Sequence, residues 1–286
     1  MGDERDERMT EPALRRDRTA RSAPPEAPQA TEAPRRAKPR PRLSIVGVFG
    51  ELLITAGVVT LLYVGWQMYF GDLIFGAQAN AEGQELSEQW AEQYAESLPE
   101  TVPTPSGEPT AEAEAAPPEP VILPEPTGTE DFAIMRIPRF GADYEWIMAG
   151  GVTRAGTLDN FRIGHYPGSK MPGEVGNFAV AGHRTTYGAP FNRIAELHVG
   201  DAIVIETPAG WYTYRFRTLE YVTPDEVEVL SAVPQMPDVP ANGRYITMTS
   251  CSPMFSLAER IVAYGVFESF QPYADGPPAS LTEAVS

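Results

Sequence analysis

The sequence predicts an all-β domain, a closed barrel or a sandwich, over residues 131–271. Three observations predict it: seven short runs rich in β-branched and aromatic residues fall in this stretch, Gly and Pro separate them, and only residues 224–230 suggest a short helix. A domain of this size buries about two thirds of its surface. Many short strands joined by such turns pack as a barrel or a sandwich.

In order, the strand candidates are 132–139, 144–149, 177–183, 202–207, 211–221, 244–251 and 260–270. Alternation is clearest where Tyr212, Tyr214 and Phe216 interleave with Trp211, Thr213, Arg215 and Arg217, a period of two that gives each set its own face. The punctuation is Gly150-Gly151, Pro167-Gly168, Pro172-Gly173 and Pro208-Ala209-Gly210.

The segments before the domain differ in kind. Residues 1–42 hold 11 of the 22 Lys and Arg and almost no large apolar group, so they cannot offset the entropy of ordering and read as a disordered cytoplasmic tail. Residues 43–66 carry one charge, Glu51, and as a helix are about 36 Å long, enough to cross a bilayer. Thirteen Leu, Ile, Val or Phe in that run favour insertion. They contribute roughly 4–8 kcal/mol against about 3 for one acidic group. Arg35, Arg36, Lys38, Arg40 and Arg42 precede the run and Asp72, Glu82, Glu85 and Glu88 follow it, so the N-terminus is expected in the cytoplasm and the rest outside. A cleaved signal peptide ending at Ala77-Gln78-Ala79 is the rival reading, but its apolar core would be about 7–15 residues.

Residues 67–98 are expected to be a membrane-proximal, partly helical segment, with Leu86, Trp90, Tyr94 and Leu98 recurring every fourth residue. Residues 99–130 hold nine prolines and read as an extended linker. Such a linker reaches up to roughly 100 Å and would hold the domain away from the membrane. Residues 272–286 are expected to be a disordered tail.

Charge narrows the function. Residues 43–286 carry 11 basic and 31 acidic groups, net −20, which excludes nucleic acid as a partner. Cys251 is the only cysteine, so it forms no internal disulfide. It is a buried filler, an intermolecular link or a nucleophile.

The stretch TSCSPMFSLAER, residues 249–260, favours the nucleophile. One strand ends at Cys251 and the next begins at Arg260. An antiparallel pairing sets thiol and guanidinium side by side at one rim, about 4.8 Å apart across the ladder. Arg favours a thiolate and stabilises an oxyanion. A thiol also needs a group that moves protons. Of His165, His183 and His198, His183 ends the apolar run NFAVAGH and so emerges at a strand terminus. His198 sits in a polar turn and reads as a surface residue, and His165 as a hydrogen-bonded structural residue or a cleft lining. No pair of histidines has metal-ligand spacing and no calcium loop is present, so neither metal nor cofactor is expected.

The segments TMTSC, ERIVAYGVF and NFAVAGHRTTYGAPF, with IPRFGADYEWI and GHYPGSKMPGEVGN, resemble the signature segments of sortases, membrane-anchored cysteine transpeptidases of Gram-positive bacteria. The resemblance covers residues 132–270 and is nearest to class E, the actinobacterial housekeeping group. It implies an eight-stranded β-barrel with Cys251 as nucleophile, His183 as general acid and base, and Arg260 as the group that orients substrate and stabilises the oxyanion. It further implies a Leu-Ala-x-Thr-Gly sorting signal, or its Leu-Pro-x-Thr-Gly counterpart, on secreted proteins. The acceptor it implies is an amino group of a lipid-linked peptidoglycan precursor. Tyr187 is the residue linked with the Leu-Ala preference, and Thr249 and Ser250 adjoin the peptide groove. Ser250 stands where the family usually has Thr, and Met248 where Leu is more usual. A hydrolytic cysteine peptidase and a non-catalytic, wall-reaching binding domain are the alternatives.

Overall fold

The computed structural model describes residues 44–98 and 117–283. The expected cytoplasmic tail, the first part of the Pro-rich linker and the last three residues lie outside the described residues. The chain divides into two compact units, Met1–Glu51 and Leu52–Ser286. The first contributes, among the described residues, only the opening of a helix. The second holds everything described below.

Helix α1 runs Ile45–Ser97. Its stretch Ile45–Trp66 is long and apolar enough to cross a membrane, and the protein buries none of it. The helix does not stop at the end of that stretch. The amphipathic repeat read at 86–98 is its last part and is not a free stalk, because Ala79 and Trp90 are buried against the barrel. Polar ties fix it there: Asn80 Oδ1 accepts from the Glu145 N–H at 3.1 Å, and Ser87 Oγ donates to Glu206 Oε1 at 2.7 Å. Arg136 bridges Glu145 and Glu206 beneath it.

The eight strands are β1 (Asp131–Arg136), β2 (Glu145–Gly150), β3 (Ile163–His165), β4 (Gly176–Ala181), β5 (Ala202–Thr207), β6 (Gly210–Val222), β7 (Arg244–Ser252) and β8 (Glu259–Pro272). They close into a barrel in the order β1-β2-β3-β4-β7-β8-β6-β5. All pairings are antiparallel except β2 with β3 and β4 with β7. Seven strands fall where the sequence predicts them. The eighth, β3, is three residues long and carries no readable period. Its Gly164 is needed, because a Cβ there would lie 2.2 Å from the Gly151 carbonyl oxygen.

The alternation in β6 resolves as predicted. Tyr212, Tyr214 and Phe216 point into a core with Phe178, Phe191, Ile203 and Met248. Each fully buried large side chain contributes about 1.5–3 kcal/mol. The opposite face carries Trp211, which packs with Ala202 and Val204 under Tyr273 and Leu281.

That outer face corrects two expectations. The tail after residue 271 is ordered through residue 283, since it supplies the cover the outer face needs. Tyr273 stacks on Trp211 at 6.0 Å, Ser280 is buried, and Glu283 pairs with Arg215 at 2.7 Å. Residues 117–130, read as linker, lie along the barrel. An extended segment without internal hydrogen bonds leaves its carbonyls free to accept, and the Tyr212 hydroxyl donates to the Val121 carbonyl. Gly168 N–H likewise donates to Glu125 Oε1 at 2.7 Å. α1 reaches the barrel before the Pro-rich stretch begins. The short helix expected at 224–230 is a 3-10 turn, Val227–Leu230, whose Val229 covers Val222, Val262 and Tyr264.

Candidate active site

The β7–β8 ladder sets Cys251 directly opposite Arg260, the register the sequence predicts. The thiol is partly exposed. Arg260 Nη1 donates to the carbonyls of Leu257 at 3.1 Å and Glu259 at 2.9 Å, which holds the guanidinium at the rim. Its Nε and Nη2 hydrogens bond nothing among the described residues and remain available to a substrate oxygen.

β4 runs parallel to β7 with Ala181 beside Thr249, and the ladder continues as Gly182 N–H donates to the Thr249 carbonyl at 3.1 Å. Two residues beyond Ala181, His183 therefore stands at the same rim as Cys251, two beyond Thr249. Both line a cleft of about 560 Å³ with Arg260, Arg154, Tyr166 and Leu257.

Sequence reasoning missed one partner. Asp159, in the 3-10 turn Leu158–Asn160 of the β2–β3 loop, places Oδ1 2.8 Å from His183 Nε2. Arg154 Nε donates to the same oxygen at 3.3 Å. Partial burial pushes the Asp159 carboxyl up, but hydrogen bonds from His183 and Arg154 outweigh it and leave it below the ordinary aspartate value. With Nε2 engaged, Nδ1 is the His183 nitrogen that bonds nothing among the described residues. No local signal marks an aspartate that meets its histidine 24 residues later.

Tyr187 stacks on the His183 ring at 4.9 Å and 24°, and the Arg154 guanidinium lies 5.9 Å from the centroid of the Tyr187 ring. Four consecutive residues, 186–189, have positive φ, three of them with side chains. Such strain persists only where neighbours over-determine it. Here Thr186 N–H donates to Asp72 Oδ2 at 2.9 Å, and Arg184 and Asn192 exchange hydrogen bonds at 2.9 and 3.1 Å. The loop that presents His183 is thus built rigid.

Thr249 and Ser250 line the cleft, but their hydroxyls are engaged elsewhere. Thr249 Oγ1 meets Tyr166 Oη at 3.0 Å, and Ser250 Oγ donates to the Gly182 carbonyl at 2.7 Å. They shape the groove and tie β7 to β4. His165 is fully buried, its Nε2 2.9 Å from Ser169 Oγ and 3.2 Å from the Lys170 carbonyl. His198 is exposed and away from the cleft.

The comparisons agree with this architecture. The Sortase domain family matches residues 135–268. Sortase SrtE1 of Streptomyces coelicolor is 33% identical over 269 residues, which span 90% of this chain and 68% of that protein. The SrtA sortase from Actinomyces oris, 32% identical, superposes with a TM-score of 0.54 over 58% of this chain and 95% of that one. The structure of Sortase E1 from Streptomyces coelicolor with a tripeptide in the active site, 34% identical, gives 0.51 over 55% and 99%. The 33% identity to Sortase SrtE1 along most of both chains, with the family match over a closed eight-stranded barrel, assigns the protein to the sortase family of transpeptidases.

Proposed function

We propose that Cys251 is the nucleophile, His183 the general acid and base, and Arg260 the oxyanion and orienting group of this sortase. The observation that carries the assignment is the register that pairs Cys251 with Arg260 at the rim where His183 emerges. The Cys251 thiolate adds to the threonine carbonyl of a Leu-Ala-x-Thr-Gly-like, or Leu-Pro-x-Thr-Gly-like, sorting signal on a secreted protein. The C–N bond to glycine breaks as His183 gives its proton to the departing amine, leaving a thioester. An amino group of a lipid-linked cell-wall precursor then adds to the thioester, His183 takes its proton, and the C–S bond breaks to restore the thiolate. Arg260 donates to the oxyanion in both tetrahedral states.

Asp159 acts through His183, fixing the ring so that Nδ1 carries the transferable proton. Tyr187 supports the ring from its face and borders the substrate path, while Thr249 and Ser250 shape the groove wall. The class E resemblance of the segment around His183 and Tyr187 favours the Leu-Ala form of the signal. The apolar helix supports a single-pass anchor, and the basic run before it with the acidic run after it supports residues 1–42 cytoplasmic and the catalytic domain outside.

Incubation with a Leu-Ala-x-Thr-Gly peptide and an amine tests this by mass spectrometry. A thioester on Cys251 and a peptide–amine product are expected. Release of the free threonine acid alone, with amine present, would make the chain a hydrolase and sink the transfer step.

A further inference from the structure

The apolar helix and the cleft share one end of the molecule. α1 leaves its membrane-length stretch at Trp66 and six residues later, at Asp72, holds the His183 loop through the Thr186 N–H. Six residues are about 9 Å of helix. Beyond that point α1 crosses the outside of the barrel, meeting Glu145, then Glu206, and finally Tyr273 through Tyr94. Tyr273 follows Pro272, which pairs with Gly210 at the end of β6 opposite to Val222 and its partner Arg260. Outward from the apolar stretch, the cleft rim therefore comes first and the Gly210 end last.

At this rim the β7–β8 loop displays Met254, Phe255 and Leu257, which are 41, 57 and 70% exposed. Phe255 has φ 64°, a left-handed conformation costly for a bulky residue, and it borders a groove shared with Asp72 and Gly76 of α1. The neighbouring Ile74 and Phe75 of α1 are exposed as well. The headgroup layer of one leaflet is about 5–8 Å thick, so about 9 Å of helix spans little more than that layer.

We propose that the cleft rim rests on the bilayer that holds the apolar helix, with the β7–β8 loop tip in contact with the lipid interface. The proposal rests on the membrane-anchored reading given above. Lipid, rather than peptide, is favoured as the partner of the loop tip because α1 brings this end of the barrel, and not the other, to the span. A cleft opening at the surface meets a lipid-linked amine where that acceptor resides, and the thioester need not wait for it to leave the membrane.

The native single thiol provides the test. The full chain is reconstituted in lipid vesicles, Cys251 is labelled with a fluorophore, and quenching by lipids with a nitroxide on the headgroup is measured. A matched label on Pro208→Cys in a Cys251→Ser background reports the turn between β5 and β6, at the far end. Quenching several-fold stronger at Cys251 than at Pro208→Cys is expected. Equal quenching at the two sites, or stronger quenching at the far end, overturns the proposal. A label on Phe255→Cys in the same background should shift to the blue on vesicles. Protection by added signal peptide without any lipid response would assign the tip to substrate and also overturn it. An alkaline wash separates the two readings. A chain that sediments with vesicles while Cys251 stays unquenched refutes the orientation alone, and a chain washed off refutes the anchor and the orientation with it.

Discussion

Two histidines stand 18 residues apart in sequence and in opposite circumstances. His165 lies in the barrel wall, fully buried and stacked on Phe178, with Nε2 engaged by Ser169 and Lys170. His183 lies at the rim, held on one nitrogen by Asp159 and on one face by Tyr187, and lines the same cleft as Cys251 and Arg260. Both rings are fixed. What differs is access: the His165 ring is shut inside the barrel, with Nδ1 buried and without a hydrogen bond among the described residues, whereas His183 lines the cleft that Cys251 and Arg260 share.

Substitutions sharpen this contrast. Cys251→Ala at the rim should lower turnover of a sorting-signal peptide by at least about 10⁴-fold. The thermal midpoint should stay put, and a fall in it would show that the thiol is a core filler. Asp159→Asn should cost about 10- to 100-fold in kcat/KM, less than the roughly 10²–10⁴-fold of a general acid–base group, because Asp159 acts through His183. The loss should fall in kcat with the thermal midpoint unchanged, where a purely structural role would lower the midpoint. Asp159→Glu should recover part of the loss.

The interior should respond in the opposite sense. His165→Gln should cost about 1–3 kcal/mol of stability in chemical denaturation by leaving buried partners unsatisfied. Peptide turnover by the folded fraction should stay near that of the parent protein. The comparison breaks if turnover falls as far as it does for Asp159→Asn.

The smallest effect is in pH. Burial pushes the His165 pKa below the ordinary imidazole value, against the hydrogen bond to the Lys170 carbonyl. The unfolded chain therefore takes up this proton first as pH falls through about 6.5. Stability is full above that pH and declines below it, by at most about 1.4 kcal/mol per pH unit from this one group. Denaturation at pH 7 and pH 5 should show a shallower loss in His165→Gln than in the parent chain.

The legible parts of the molecule were those with local periodicity. β5 was readable to the residue, because five apolar or β-branched positions lie between a Gly-Asp turn and a Pro-Ala-Gly turn. The Cys251 and Arg260 pairing was readable because a short hairpin offset fixes its own register. Asp159 was not, since a loop carboxylate finds its histidine only after β2, β3 and β4 have assembled. The ordering of residues 117–130 and 273–283 was equally hidden. Proline and small polar residues read alike whether free or laid over Trp211 and Tyr212, and the surface they cover exists only once the barrel has closed.

The ring of eight strands has one more implication. Each strand has a neighbour on both sides over part of its length, so closure leaves a passing unfolded polypeptide few unpaired amides to zip against. A catalyst that handles extended chains is thereby kept from collecting them at random. Strand ends supply the fixed part of the cleft and connecting segments the rest, so substrate preference can be altered by exchanging those segments while the staves of the barrel stay as they are.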